Sequence, residues 1–200
     1  MNLPNKLTTA RLIVIPFFLI FLLTPDYFGY RYLFALLLFL GASLTDHFDG
    51  KIARKRNQIT DFGKFMDPLA DKVLVLSAFV CFLQLGLTNA WVVIIVMFRE
   101  FMVTFIRLVA AENGKVLAAN KWGKAKTVSQ MTAISAVLLF QFIQELIEKG
   151  VFPAFTVGGS SSASAFAFAG NVLIWISVLF TVISGAIYLK ENSALFRETK

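Results

Sequence analysis

Six stretches of about 20 mostly apolar residues follow one another along this 200-residue chain, and that pattern leaves few folds open. They run roughly over 8–28, 30–50, 65–87, 89–111, 127–148 and 165–189. Each is long enough to cross a bilayer as a helix. With 58% hydrophobic residues, 22 Phe and a mean hydropathy of +0.73, the composition argues against a soluble domain. The expected fold is an all-α integral membrane protein with six transmembrane helices, forming one domain over residues 1–200. No compact apolar core with a small-residue cleavage site opens the chain, so the first window reads as a retained helix. Residues 2–11 are polar and apolar by turns and suggest a short N-terminal interfacial helix leading into it, with Pro4 suited to a first turn. The Gly/Ser-rich stretch 156–165 reads as a flexible loop between the last two spans.

Charge placement orients the bundle. The net charge is +7. If the N-terminus faces the cytoplasm, every Lys and Arg except Arg31 and Lys149 falls on that side. That asymmetry puts both termini in the cytoplasm. It also gives the basic surplus an ordinary meaning, topology and attraction to anionic membrane lipids, rather than nucleic-acid binding. Cys81 is the only cysteine and His47 the only histidine. An intramolecular disulfide and a Cys- or His-based zinc centre are therefore excluded.

Against this apolar background, eight residues stand at fixed spacing: Asp46, Asp49, Gly50, Ala53 and Arg54, then Gly63, Asp67 and Asp71. Ionisable residues beside membrane segments are costly and mark functional sites by default. The i,i+3 pair Asp46/Asp49 shares one helix face, and the i,i+4 pair Asp67/Asp71 shares another. Two such helices in a hairpin over 46–71 would gather four carboxylates. Like charges that close need a compensating cation. One or two hard, oxygen-preferring ions, Mg2+ or Mn2+, are the simplest choice.

Each neighbour has a bland reading beside a functional one. Gly50 and Ala53 either admit a flat group to the backbone or simply pack helices closely. Arg54 either clamps a phosphate through its guanidinium fork or anchors the cytoplasmic end, as Lys55 and Arg56 do. Asp67 and Asp71 as a plain ion pair with Lys64 or Lys72 is the structural alternative, weakened by the regular array around them. A second polar group comprises Arg99, Glu100, Arg107, Lys121, Lys124 and Lys126. Arg107, Lys124 and Lys126 could bind an anionic, phosphate-bearing substrate. For any one lysine, snorkelling to the interface is the simpler account.

The string D-x-x-D-G-x-x-A-R-x8-G-x3-D-x3-D resembles the signature of the CDP-alcohol phosphatidyltransferase family at all eight fixed positions. The resemblance implies transfer of a phosphatidyl group from a CDP-linked lipid to an alcohol, with release of CMP and two divalent ions as cofactors. On that pattern Asp46, Asp49, Asp67 and Asp71 would hold the metals, and Asp71 would accept the proton of the attacking hydroxyl. Gly50, Ala53, Arg54 and Gly63 would shape the CDP pocket, and Thr60 and the Asn5–Thr8 stretch would touch the nucleotide-lipid, CDP-diacylglycerol. The opening Asn2-Leu3-Pro4-Asn5, the Arg99-Glu100-Phe101 stretch and Gly123-Lys124-Ala125-Lys126-Thr127 resemble the branch whose acceptor is sn-glycerol 3-phosphate. An inositol phosphate acceptor would need a similar basic pocket and is the nearest rival. A homodimer is implied by resemblance alone. Two other classes compete. An ion-coupled transporter would show mid-bilayer acids and inverted repeats or broken helices, whereas these acids sit by the cytoplasmic turn and no repeat is visible. A UbiA-like prenyltransferase would have a longer chain and different Asp spacing.

Overall fold

A computed structural model describes residues 3–24, 29–56, 61–112, 117 and 120–193, with side chains for 12–24, 29–45, 72–112, 117 and 120–193. Six helices account for nearly all of it: α1 (Leu3–Leu23), α2 (Arg31–Arg56), α3 (Asp61–Gln84), α4 (Ala90–Glu112), α5 (Lys121–Glu148) and α6 (Ser162–Glu191). Each overlaps one of the six apolar windows. Helices α5 and α6 are long and apolar enough to cross a membrane, and shorter apolar stretches run over Leu12–Leu23, Arg31–Thr45 and Lys72–Gln84. The chain is thus an all-α membrane protein.

Two local expectations are corrected. Residues 3–11 do not form a separate short helix: from Leu3 onward they are continuous with the first apolar stretch in α1. The physical reason is that Pro4 lies in the first turn, where its missing N–H costs nothing, and no Gly or Pro interrupts residues 5–15. The stretch 156–165 is not a plain linker either. Strands β1 (Thr156–Val157) and β2 (Ser160–Ser161) pair antiparallel around Gly158 and Gly159. Both glycines have positive φ (+57° and +81°), the backbone a two-residue hairpin of matching twist demands. Ser161 then caps α6, its side chain accepting from the Ser164 amide.

Contacts between side chains give the helix directions. Phe18 meets Phe39 and Phe21 stacks on Phe34, so α1 and α2 run antiparallel. Tyr30, in the turn just before α2, lies edge-on to Phe142 of α5. Gln130 donates to Thr181 near one end of the α5–α6 pair and Ser162 to Gln144 near the other. Arg99 reaches Ser184 and Arg107 reaches Tyr188, so α4 and α6 run parallel. The C-terminal ends of α2, α4 and α6 therefore share one end of the bundle with the N-terminal ends of α3 and α5.

Buried positions recur every three to four residues, for example Val92, Val96, Glu100, Val103, Ile106 and Ala110 on α4, the spacing of one helix face. On α6 the usual polarity is reversed. Its inner face carries Gly170, Ser177, Thr181, Ser184 and Gly185, while Phe168, Trp175, Leu179 and Val182 point outward. Small and hydroxylated residues inside with bulky apolar ones outside are what a lipid-facing helix needs. The main apolar core draws on all six helices, and on α4 it ends at Val96. A smaller cluster of Val103, Ile106, Ala110 and Tyr188 joins α4 to α6. Between the two lies a polar layer.

Gly185 sets how closely α4 and α6 approach in that layer. A first side-chain carbon there would meet Arg99 Cγ at 3.1 Å and Met102 Cε at 3.3 Å. Arg99 cannot swing aside cheaply, because Ser184 and Glu100 hold its guanidinium. Gly185→Leu is expected to cost about 1–3 kcal/mol by overpacking, read as a lower melting temperature in detergent. An unchanged melting curve would mean that α4 and α6 are not packed this tightly.

Candidate active site

The topology brings two chemically opposite groups to one end of the bundle. The acidic array contributes Asp46 and Asp49 from the last turns of α2, and Asp67 and Asp71 from the first turns of α3. Their backbones are helical, as the i,i+3 and i,i+4 spacing requires. Their side chains lie outside the described residues, as do those of Asn5, Thr8, Gly50, Ala53, Arg54 and Gly63. Thr60 lies outside them altogether. The donor set itself fits a hard divalent cation, since four carboxylates offer only oxygen and enough negative charge to hold one or two such ions.

The basic group is described in full, and it does not form one open cluster. Arg107 is exposed on α4, with Nε donating to Tyr188 Oη at 3.2 Å and the guanidinium 5.6 Å from that ring's centroid. Lys124 is exposed in the first turn of α5. Lys126 is buried, and its Nζ donates to Glu100 Oε1 at 2.5 Å. The same carboxylate oxygen accepts from Arg99 Nη1 at 3.0 Å, while Arg99 Nε donates to Ser184 Oγ at 3.2 Å. Glu100 and Arg107 lie seven residues apart on α4, about 10 Å along the axis.

Two further contacts tie this region together. Lys72, the residue after Asp71, donates to Thr104 Oγ1 on α4, and Thr104 donates in turn to the Glu100 carbonyl. The acid-bearing start of α3 is thereby held against α4 between Glu100 and Arg107. Asn120 caps α5, accepting from the Gly123 amide at 2.8 Å and donating to Glu191 on α6 at 3.2 Å. Arg107, Lys124 and Lys126 thus surround the α4–α5–α6 junction, two of them open to solvent and one already bonded to a carboxylate.

Sequence reasoning left Glu100, Thr104, Tyr188 and Ser184 without roles. A signal existed for Glu100, because an acid inside an apolar window needs a partner. The identity of that partner depended on how α4 meets α5, which no spacing along the chain reveals.

The family profile of the CDP-alcohol phosphatidyltransferases matches residues 1–183. The chain belongs to that family, and is accordingly an enzyme that transfers phosphatidyl groups, in a family that depends on divalent metal. It is 43% identical over 201 residues to a Bacillus subtilis protein named CDP-diacylglycerol–glycerol-3-phosphate 3-phosphatidyltransferase, covering 96% of this chain and 95% of that one. A Rickettsia typhi protein of the same name is 32% identical over 98% of this chain and 99% of its own length. A Mycobacterium tuberculosis protein named probable phosphatidylglycerophosphate synthase is 39% identical over 142 residues, 69% of this chain and 66% of its own length.

Proposed function

We propose that the chain transfers the phosphatidyl group of CDP-diacylglycerol to sn-glycerol 3-phosphate, giving phosphatidylglycerophosphate and CMP. The observation that carries this reading is the 43% identity, over nearly the whole of both chains, to the Bacillus subtilis protein named for that reaction. The basic residues at the α4–α5–α6 junction support it chemically, since the acceptor carries a phosphate dianion that an alcohol such as serine lacks.

The residue roles are those that the family motif implies for the matching positions of this chain. Asp46, Asp49, Asp67 and Asp71 hold two divalent ions, Mg2+ or Mn2+. When bound, these neutralise the diphosphate and stabilise the departing CMP. Asn5, Thr8, Gly50, Ala53, Arg54, Thr60 and Gly63 form the pocket for the CDP-lipid. Arg107, Lys124 and Lys126 hold the acceptor's phosphate and turn its hydroxyl toward the phosphatidyl phosphorus. Asp71 takes the hydroxyl proton as the new oxygen–phosphorus bond forms. The bond from that phosphorus to the bridging oxygen breaks, and the oxygen leaves with CMP.

All six helices span the membrane, with both termini and the active site on the cytoplasmic side of the cell membrane. The Lys and Arg asymmetry supports this orientation. A homodimer is the expected assembly.

Acceptor competition tests the reading. Purified protein with CDP-diacylglycerol and Mg2+ is expected to release CMP with sn-glycerol 3-phosphate and to release at least about 100-fold less with inositol phosphate, since a site built around one acceptor leaves polar groups unpaired with another. Turnover with inositol phosphate alone would move the chain to that branch, and no CMP release with either would remove the acceptor assignment.

A further inference from the structure

Glu100 is a carboxylate in the middle of a group of cations that must attract an anion, and it touches two of them. Its side chain and that of Lys126 are each only 7% exposed, and Arg99 is 11% exposed. Charges at that depth persist only when paired and hydrogen-bonded. The pairing also spans three helices. Glu100 and Arg99 sit on α4, Lys126 on α5, and Ser184, which accepts from Arg99, on α6. It occupies the layer between the two apolar clusters, beside the α4 residue that Lys72 contacts.

We infer that Glu100 is a positioning residue for the acceptor site, holding the Lys126 ammonium and the Arg99 guanidinium in the places from which the acceptor's phosphate is bound. This rests on the reading that Lys126 belongs to the acceptor pocket. One carboxylate against two cations leaves a net positive charge in the buried layer. The exposed Arg107 and Lys124 add to it nearby. Counting Arg107 and Lys124, the surplus exceeds the charge of a phosphate dianion, so such an anion is attracted there. Glu100 keeps Lys126 from turning away from the junction in the interval before the acceptor arrives. Tyr188 does the same for Arg107 through its hydroxyl and ring.

A purely structural ion pair would predict something different. Losing it would lower stability and disturb both substrates alike. A positioning role predicts a selective effect that passes through Lys126. The test uses the full-length protein as Glu100→Gln, Glu100→Asp, Lys126→Gln and the double variant E100Q/K126Q, with KM measured separately for the acceptor and for CDP-diacylglycerol. Glu100→Gln is expected to raise the acceptor KM about tenfold, a coupling typical of contacting charged residues. The KM for CDP-diacylglycerol should stay within about twofold, and Glu100→Asp should fall between wild type and Gln. On the Lys126→Gln background the same change should raise the acceptor KM clearly less than it does in wild type, because only the Arg99 contact remains to be lost.

An unchanged acceptor KM, an equal rise in both KM values, or full additivity with Lys126→Gln would each overturn the inference. If Glu100→Gln fails to fold, as judged by its melting curve in detergent, the Glu100→Asp and Lys126→Gln pair carries the same cycle. Wild type that uses inositol phosphate instead would remove the glycerol 3-phosphate assignment alone. The Glu100 ratio would then be measured on that acceptor and would still decide the inference.

Discussion

Asp71→Asn is expected to lower CMP release from CDP-diacylglycerol by at least about 10³-fold while leaving a folded, membrane-extractable protein. Asn has nearly the shape of Asp but cannot take up the acceptor's proton, and it offers a weaker, neutral oxygen to a divalent ion. General-base catalysis alone is worth about 10²–10⁴-fold, and loss of a metal-binding carboxylate adds to it. The two contributions separate experimentally. Asp46→Asn removes a metal ligand only, so excess Mg2+ should recover part of its activity. Asp71→Asn should not recover, and its residual rate should lose the acid limb of the pH profile that a titrating base imposes. The variant ought to fold, because the start of α3 keeps its own anchor in the contact of Lys72 with Thr104. Turnover near that of wild type would take Asp71 out of the proton-transfer role and leave it at most a ligand.

Much of this architecture was readable from residue spacing because membrane segments announce themselves by length. The window at 165–189 became α6 over Ser162–Glu191, and that at 89–111 became α4 over Ala90–Glu112. The helical backbone under Asp46, Asp49, Asp67 and Asp71 was legible too, since i,i+3 and i,i+4 pairs suit helix faces without any tertiary information. The polar layer was not. Lys126 looks like any cytoplasmic-side lysine in the chain, and only the approach of α4 to α5 reveals that Glu100 accepts from it. Tyr188 likewise stands 81 residues from the Arg107 it bonds. The hairpin at 156–161 was obscured by composition: Gly and Ser suggest a linker, yet the Gly158–Gly159 pair is also the turn signal of two very short strands. Continuity of α1 through residues 3–11 was missed for a related reason. Alternating polarity suggested a separate piece, whereas nothing within residues 5–15 stops the helix from running on into the apolar stretch.

Removing divalent metal is expected to abolish turnover altogether, and the way activity returns should count the ions. Excess EDTA should bring CMP release to background, because the four carboxylates then repel one another and the diphosphate of CDP-diacylglycerol alike. Titrating Mg2+ back should restore the rate. If two ions are required, the rise at low metal should follow roughly the square of the free concentration, and a single ion would give a simple hyperbola. Mn2+ should substitute, since it also favours oxygen ligands in octahedral geometry. A second readout does not depend on catalysis. Each ion that binds the folded protein and not the unfolded chain stabilises it by about 2.7 kcal/mol at 100 times its dissociation constant. Mg2+ should therefore raise the melting temperature of wild type in detergent, and raise it less in Asp46→Asn, where one ligand is gone. Glu100→Gln should keep the full metal-induced shift, because its carboxylate belongs to the cationic layer and not to the acidic hairpin. Activity that survives chelation, or a melting temperature indifferent to Mg2+, would break the link between the Asp46–Asp71 array and metal, and with it the account of why four acids are gathered at one end of a membrane bundle.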